Sequence, residues 1–126
     1  FFDRLADAIH YQILAGKYGC SVATTHTSGG DEVVVYQNHV LNYLAVLSVG
    51  GISVATGGDM DAVDARGAEA RALGKKLAEA IAKGFCDPVQ ETEIAGNRDF
   101  FKDLVIENRD LRTEDYDRWV RMGWIR

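Results

Sequence analysis

The chain has 126 residues, a length typical of one domain, and 47% of them are apolar, which is enough for a packed core. Its net charge of −5 gives no general electrostatic reason to expect a nucleic acid or an anionic membrane as partner. No apolar run approaches the span of a bilayer, and no basic-then-apolar signal segment is present. We therefore expect a soluble, cytoplasmic protein.

The two cysteines, Cys20 and Cys86, stand far apart in the sequence and outside any metal-binding motif. They are compatible with a disulfide, but isolated cysteines in an acidic soluble domain are more often reduced, buried thiols. We expect the thiol form.

The first segment, from Phe1 to about Leu14, predicts a helix that ends near Gly16. Its apolar residues recur at helical spacing: Phe1, Phe2, Leu5, Ile9 and Ile13. The pattern begins without a capping residue, so we expect that part of the structure precedes it.

A buried strand is predicted next, from Lys17 to Thr25, and it leads into a polar loop that ends in two glycines. Asp31 and Glu32 then suit the start of a helix. Open α/β sheets bind ligands at the carboxyl ends of their strands, and glycines let a flat or anionic ligand approach closely. The alternative is an ordinary loop with a helix cap. The candidate binding residues are Thr24, Thr25, His26, Thr27, Ser28, Gly29 and Gly30.

The second helix is predicted from Asp31 to Leu44, although the β-branched run Val33–Val35 also favours a strand. A second strand follows from Val46 to Thr56, with a bulge or bend at Gly50–Gly51. The predicted buried face of the helix consists of Val33, Tyr36, Val40, Leu44 and Leu47.

An alanine-rich helix is predicted from about Asp61 to Lys83, after a loop at Gly57–Asp59 and before a stop at Gly84. Asp61 and Asp64 are compatible with metal ligation, but carboxylates in a first helical turn are the more common case. The predicted buried stripe consists of Ala70, Leu73, Leu77 and Ile81.

This order of elements predicts an α/β fold with a parallel sheet. Two strands alone leave both sheet edges unpaired, so we expect an incomplete sheet whose other strands come most simply from a missing N-terminal half. Residues 1–85 belong to this unit. Residues 86–126 are charged and aromatic, and we expect them to form a helical C-terminal extension.

Within the extension, Pro88 marks a boundary and a helix is predicted from Asn97 to about Asn108. A last helix is predicted with Thr113 as its cap and Gly123 as its stop. The aromatic face packs either on its own domain or at an interface, and we expect a homo-oligomer in which a neighbouring subunit covers Trp119 or Trp124. The inward residues are predicted to be Phe100, Phe101, Leu104, Val105, Tyr116, Trp119 and Val120.

These segments together resemble the C-terminal part of flavodoxin-like NAD(P)H-dependent FMN reductases, particularly the iron–sulfur flavoprotein branch. KYGCSVATTHTSGGDE is similar to the family's strand and glycine-rich loop beside the flavin. EARALGKKLAEAIAKG is similar to its closing helix, and RDFFKDLVIENRDLRTEDYDRWVRMGWI to its Phe-Phe and Tyr/Trp helices. The resemblance implies a flavodoxin-like parallel sheet sandwiched by helices, of which this chain holds the C-terminal half.

The resemblance also implies a flavin-dependent oxidoreductase with FMN as cofactor and a nicotinamide nucleotide or protein as electron donor. The loop from Thr24 to Gly30 would contact the isoalloxazine edge, where His26 donates to the ring or stabilises its reduced anion; the alternative is a histidine that faces solvent. The family's phosphate loop and cysteine cluster are absent here, so any iron–sulfur cluster would be bound by residues outside this chain. No catalytic residue and no metal ligand is assigned. The alternative function is a non-catalytic half-domain that acts only in assembly.

Overall fold

Helices and strands alternate along the chain, which confirms the predicted α/β class. The structure, a computed structural model, describes the backbone of residues 2–126 and the side chains of residues 4–126. A 3-10 helix, Phe2–Leu5, opens the described chain. The elements that follow are α1 (Ala6–His10), β1 (Lys17–Thr25), α2 (Gly30–Tyr43), β2 (Val46–Ala55), α3 (Asp61–Ala65), α4 (Gly67–Lys83), α5 (Pro88–Glu107) and α6 (Thr113–Arg121).

The two described strands pair in parallel, with a register that runs from Lys17 opposite Val46 to Thr25 opposite Ala55. The register shifts once, because Gly19 lies opposite Ser48 while Ser21 lies opposite Gly51. The extra residue therefore belongs to β2. Gly50, at this point, has φ +109°, a conformation that glycine adopts without strain. The predicted bend at Gly50–Gly51 and the predicted strand bounds are confirmed to within one residue.

Helices cover both faces of this two-stranded sheet. On one face, the Ser21 hydroxyl donates a hydrogen bond of 2.7 Å to the Asn38 side chain of α2. On the other face, Tyr18 and Cys20 pack against a buried cluster of Val49, Leu73 and Ala80 that joins the sheet to α4. The predicted layering of helix, sheet and helix is present around these two strands.

The predicted buried face of α2 is only half correct. Val40 and Leu44 are buried, but Val33 and Tyr36 are exposed and Val34 is buried instead. The sheet-facing side of α2 includes Asn38, whose Oδ1 accepts from the Ser21 and Ser48 hydroxyls, each at 2.7 Å. A polar residue that finds its partners in the sheet shifts the buried face away from the apolar pattern. Leu47 lies in β2 and is half-buried.

The predicted helix from Asp61 to Lys83 is two helices, because α3 ends at Ala65 and α4 begins at Gly67. Between them, Arg66 donates to the Ser53 carbonyl at 3.1 Å and pairs with Glu69 at 2.8 Å. Of the predicted stripe, Leu73 is buried and Leu77 half-buried, whereas Ala70 and Ile81 are exposed and Ala80 is buried.

The first predicted helix is shorter than expected, because α1 ends at His10. Gln12 has φ +51°, which interrupts a right-handed helix, and its buried side chain donates to the carbonyls of Ile9 (2.7 Å) and Tyr43 (2.8 Å). The predicted stripe position Ile13 is exposed. Phe1 and the side chain of Phe2, which belong to the same stripe, lie outside the described residues.

Pro88, the predicted boundary residue, is the first residue of α5. Asp87 caps this helix, accepting from the backbone N–H groups of Val89 (3.0 Å) and Gln90 (3.2 Å). The helix predicted from Asn97 is therefore only the second half of α5. Phe100 is 80% exposed, so its predicted inward orientation is wrong. Neither α5 nor any other described helix is long and apolar enough to cross a membrane.

The last helix, α6, packs its aromatic face on the rest of the chain. Trp119 is 0% exposed, and its Nε1 donates to the Tyr11 carbonyl at 2.8 Å. Its own chain therefore encloses Trp119, whereas Trp124 is half-buried, so the predicted cover of Trp119 or Trp124 by a neighbouring subunit stays a prediction for Trp124. Thr113 begins α6 but does not cap it, and Val120 is exposed. The buried cluster consists of Tyr11, Val105, Trp119 and Ile125, with Phe101, Leu104, Tyr116 and Trp124 packed around it.

Candidate functional site

Two loops lie side by side at the carboxyl end of the sheet. The first follows β1 and the second follows β2. The Thr56 N–H donates to the Thr25 carbonyl at 2.9 Å, and the Gly57 N–H donates to the His26 carbonyl at 2.7 Å. Backbone hydrogen bonds thus continue beyond the last strand residues and hold the two loops together as one surface.

The second loop is a tight turn that sequence reasoning did not include in the site. The Asp59 N–H donates to the Thr56 carbonyl at 2.7 Å, and the two central residues, Gly57 and Gly58, have φ +57° and +89°. A turn with two positive φ angles favours glycine at both positions. The imidazole of His26 lies beside this turn, with Cε1 3.5 Å from the position that a Cβ on Gly58 would take. The sequence could have indicated this contact only through the predicted parallel pairing of β1 and β2, which brings the loops after both strands to the same edge of the sheet.

The seven predicted site residues divide into two groups. Five are exposed at the end of β1 and in the loop after it, and two are covered, since Thr25 is half-buried and Gly30 is buried. The structure therefore brings together a polar, solvent-facing patch rather than an enclosed pocket. The exposed residues are Thr24, His26, Thr27, Ser28 and Gly29.

The two adjacent glycines have different reasons to be glycine. Gly29 has φ +85°, and no atom lies within 4 Å of the position that its Cβ would take, so a ligand has room to approach the backbone there. At Gly30, a Cβ would lie 2.8 Å from the Ser53 Cβ. That distance is a clash, so Gly30 is the residue that lets α2 pack closely on β2. Its presence in the sequence is explained by packing.

Thr25, the last residue of β1, is the one predicted site residue whose side chain has a polar atom, Oγ1, that is buried without a hydrogen-bond partner. A buried hydroxyl in this state costs about 1–3 kcal/mol compared with a paired one. This orphan hydroxyl lies at the base of the first loop, next to the surface that the exposed residues form. It is a feature of the kind found where a ligand completes a site.

The charges around the two loops are mostly acidic, with Arg66 beside the Ser53 carbonyl of β2 as a cation close by. Asp31 and Glu32 stand in the first turn of α2, while Asp59 and Asp61 follow the second turn. Neither loop contains Lys or Arg. The loops present hydroxyls, an imidazole and open backbone, and the acidic side chains around them repel a phosphate group.

The cysteines and aspartates do not form a metal site within the described part of the chain, where no group of three or more His, Cys, Asp or Glu side chains could hold a metal ion. Cys20 and Cys86 are both free thiols, as expected. Cys20 is half-buried, but Cys86 is exposed, so the expectation of two buried thiols is wrong. Asp61 and Asp64 both belong to α3, as the helix interpretation predicts.

Comparisons of the chain with protein-family models, with curated proteins and with solved structures gave no match in any of the three. The resemblance to FMN reductases therefore rests on this chain's own sequence segments.

Proposed function

We propose that this chain is part of an FMN-dependent oxidoreductase of the flavodoxin-like NAD(P)H-dependent FMN reductase type. The observation that carries the proposal is the paired-loop surface at the carboxyl end of parallel strands, with open space above Gly29. A bound flavin would supply the redox chemistry, and the protein would bind and orient its ring. The proposal includes a cytoplasmic location, a homo-oligomer, and a nicotinamide nucleotide or protein as electron donor.

In this proposal, the exposed side chains of His26, Thr27 and Ser28 hydrogen-bond the polar edge of the ring, and Gly29 permits its close approach. Thr25 and Gly30 act below the surface, where they hold the loop against β2. The phosphate is bound outside these two loops because their surroundings are acidic. An iron–sulfur cluster, in the branch that carries one, would likewise be held by residues outside residues 1–126.

The absence of a phosphate contact gives a sharp test. Titration of the chain with riboflavin and with FMN, followed by flavin fluorescence quenching, should give weak and nearly equal affinities. Tighter binding of FMN than of riboflavin by more than about tenfold, or about 1.4 kcal/mol, would mean that the chain does bind the phosphate. If neither flavin is quenched, even at millimolar protein, the flavin proposal fails for these loops.

Substitutions that remove the loop hydroxyls test whether flavin binds at this loop. The double change Thr27→Val and Ser28→Ala removes two hydroxyls with little change in shape. Each net hydrogen bond contributes about 0.5–1.5 kcal/mol, so the loss of two should raise the dissociation constant by roughly 5- to 150-fold. Thr113→Val, at an exposed threonine of α6, is the matched control and should leave flavin binding unchanged.

The second candidate function is a non-catalytic half-domain that acts in assembly. The observation that favours it is the outer edge of β1, where the described residues supply no further strand. Flavin titration separates the two functions, because an assembly domain has no reason to bind a flavin ring.

A further inference from the structure

A groove of about 460 Å³ lies beside β2, on the side where Gln90 rather than β1 binds the Ser48 peptide. Its lining comes from α2, β2, α4 and the start of α5, and its volume is within the range of small-molecule sites. Gly50, which lines the groove, precedes Thr56 of the second loop by six residues, or roughly 20 Å of strand. The groove is therefore separate from the paired loops.

Hydrogen bonds between side chains and backbone fix the walls of this groove. Gln90 of α5 accepts from the Ser48 N–H at 2.8 Å and donates to the Ser48 carbonyl at 3.0 Å. Asn42 of α2 donates to the same side-chain oxygen of Gln90 at 2.8 Å. These bonds join α2, β2 and α5 at one place, so the groove is formed before any ligand binds.

The two carboxylates that line the groove are already engaged within the protein. Asp87 accepts from the backbone N–H groups of Val89 and Gln90 at 3.0 and 3.2 Å. Its second oxygen accepts from the Gln90 side-chain amide at 2.9 Å. Glu93 of α5 lies 3.5 Å from Nδ1 of His39 in α2. The acidic side chains of the groove therefore have partners of their own.

Two donors that line the groove lack a partner among the described residues. Lys76 of α4 belongs to none of the described ion pairs, and its Nζ lies 4.0 Å from the position that a Cβ on Gly50 would take. Asn38 of α2 uses Oδ1 to accept from the Ser21 and Ser48 hydroxyls, and its Nδ2 has no acceptor. An ammonium and an amide N–H in one groove suit a carboxylate group.

Much of the remaining lining is apolar. Val35 of α2 is 56% exposed and Val89 of α5 is 77% exposed, and Val49 and Phe85 also line the groove. Such surface favours a ligand with an apolar body, which would remove it from water. Lys76 supplies one positive charge, which matches one carboxylate better than the nearly double charge of a phosphate monoester.

We propose that this groove binds a small organic acid with one carboxylate and an apolar body. The carboxylate accepts hydrogen bonds from Lys76 Nζ and Asn38 Nδ2, and the body covers Val35 and Val89. Because α5 supplies one wall, the bound acid also ties the start of the C-terminal extension to the sheet. The proposal does not depend on flavin binding, since the groove and the paired loops share no residue.

Benzoate, benzamide and benzylamine are matched probes of this groove, because they share a ring and differ in charge. Each is titrated into the ¹⁵N-labelled chain and the amide signals are followed by NMR. Benzoate should shift the signals of the Gly50 backbone and the Asn38 side chain at millimolar concentration, and benzamide should bind about tenfold more weakly or worse. Equal binding of benzamide, tighter binding of benzylamine, or no shift at Gly50 overturns the proposal.

Two neighbouring lysines give a matched pair of variants. Lys76→Met should raise the dissociation constant of benzoate by about fivefold or more. Lys75→Met removes the same charge at an exposed residue that does not line the groove, and it should leave the dissociation constant unchanged. Equal weakening in both variants overturns the proposal, because net charge alone would then explain the binding. Lys76→Met should leave flavin quenching unchanged, so failure of this proposal is distinguishable from failure of the flavin proposal.

A third variant tests the amide donor. Asn38→Asp keeps an acceptor for the Ser21 and Ser48 hydroxyls and replaces the Nδ2 donor with an oxygen. It should abolish benzoate binding, and urea denaturation checks that the variant is folded. Unchanged affinity in the folded variant would show that Asn38 does not contact the carboxylate and would overturn its assigned role.

Discussion

The paired loops at the end of the sheet and the C-terminal extension are held in opposite ways. The loops depend on backbone hydrogen bonds and positive-φ glycines, and most of their side chains face solvent. The extension depends on buried side chains, above all Trp119 and Val105, which have no exposed surface. Exposed side chains in the loops are free to contact a ligand, whereas the aromatics of the extension are mostly used in folding. Aromatic content alone is therefore a poor sign of a partner in this chain.

The largest expected effect is on the extension. Trp119→Ala removes the centre of the buried aromatic cluster and the hydrogen bond to the Tyr11 carbonyl, and it should reduce the free energy of unfolding by about 3–5 kcal/mol. Urea denaturation measures the loss. Trp124→Ala, at a half-buried residue beside Trp119, should cost less.

The same two variants test whether the extension also forms an interface. Sedimentation of the wild type and both variants across a dilution series reports the assembly state. We expect stability to fall with Trp119→Ala while assembly is unchanged. A change in assembly without a loss of stability would show that the extension contacts a neighbouring subunit instead of its own domain.

A smaller effect is expected at Gly30, and it sharpens the comparison within the first loop. Gly30→Ala places a Cβ against Ser53 and should cost about 1–3 kcal/mol through overpacking, with little direct effect on a flavin. Gly29→Ala meets no atom, so its cost is backbone strain of about 1–2 kcal/mol at most. Urea denaturation and flavin titration of both variants distinguish packing from ligand contact. Flavin binding that responds to Gly30→Ala more than to Gly29→Ala would contradict these roles.

The smallest expected effect is a pH dependence at the start of the extension. Hydrogen bonds from the side chain and backbone of Gln90 lower the pKa of Asp87 below its ordinary value of 3.8. A carboxyl whose pKa is lower in the folded state stabilises the fold above its unfolded pKa, and this contribution is lost as the pH falls through the folded pKa. Asp87→Asn should therefore reduce the urea midpoint at neutral pH. It should also make the urea midpoints at neutral and acid pH more nearly equal than they are in the wild type. Asp103→Asn, at an exposed position of the same helix, is the control and should do neither.

The strands were predictable because their signals are local. Apolar, β-branched runs fixed both strands to within one residue, and the glycine pair in β2 indicated its bulge. The buried face of α2 was not predictable in the same way. Asn38 faces the sheet because Ser21 and Ser48 supply its partners, and a pattern of apolar residues contains no information about such distant partners.

The candidate site was likewise predictable only in part, because some of its contacts join residues that are distant in the sequence. The composition of the loop after β1 indicated a binding surface, but the contact with the second loop follows only from parallel pairing of the strands. The role of Gly30 depends on Ser53, which lies 23 positions later in the sequence. The flavin and the family remain predictions that the loops support and that titration will test.

The hydrogen bond from Trp119 to the Tyr11 carbonyl also makes the segment after α1 dependent on a residue far away in the sequence. The two residues are 108 positions apart, and Arg118 donates to the same carbonyl. α1 has only five residues, too few for an isolated helix to be stable in water. Ala8 of α1 packs with Val40, Leu44 and Val46, so α1 is already held against α2 and β2. Loss of α6 would remove the two donors to the Tyr11 carbonyl and loosen the segment that follows α1.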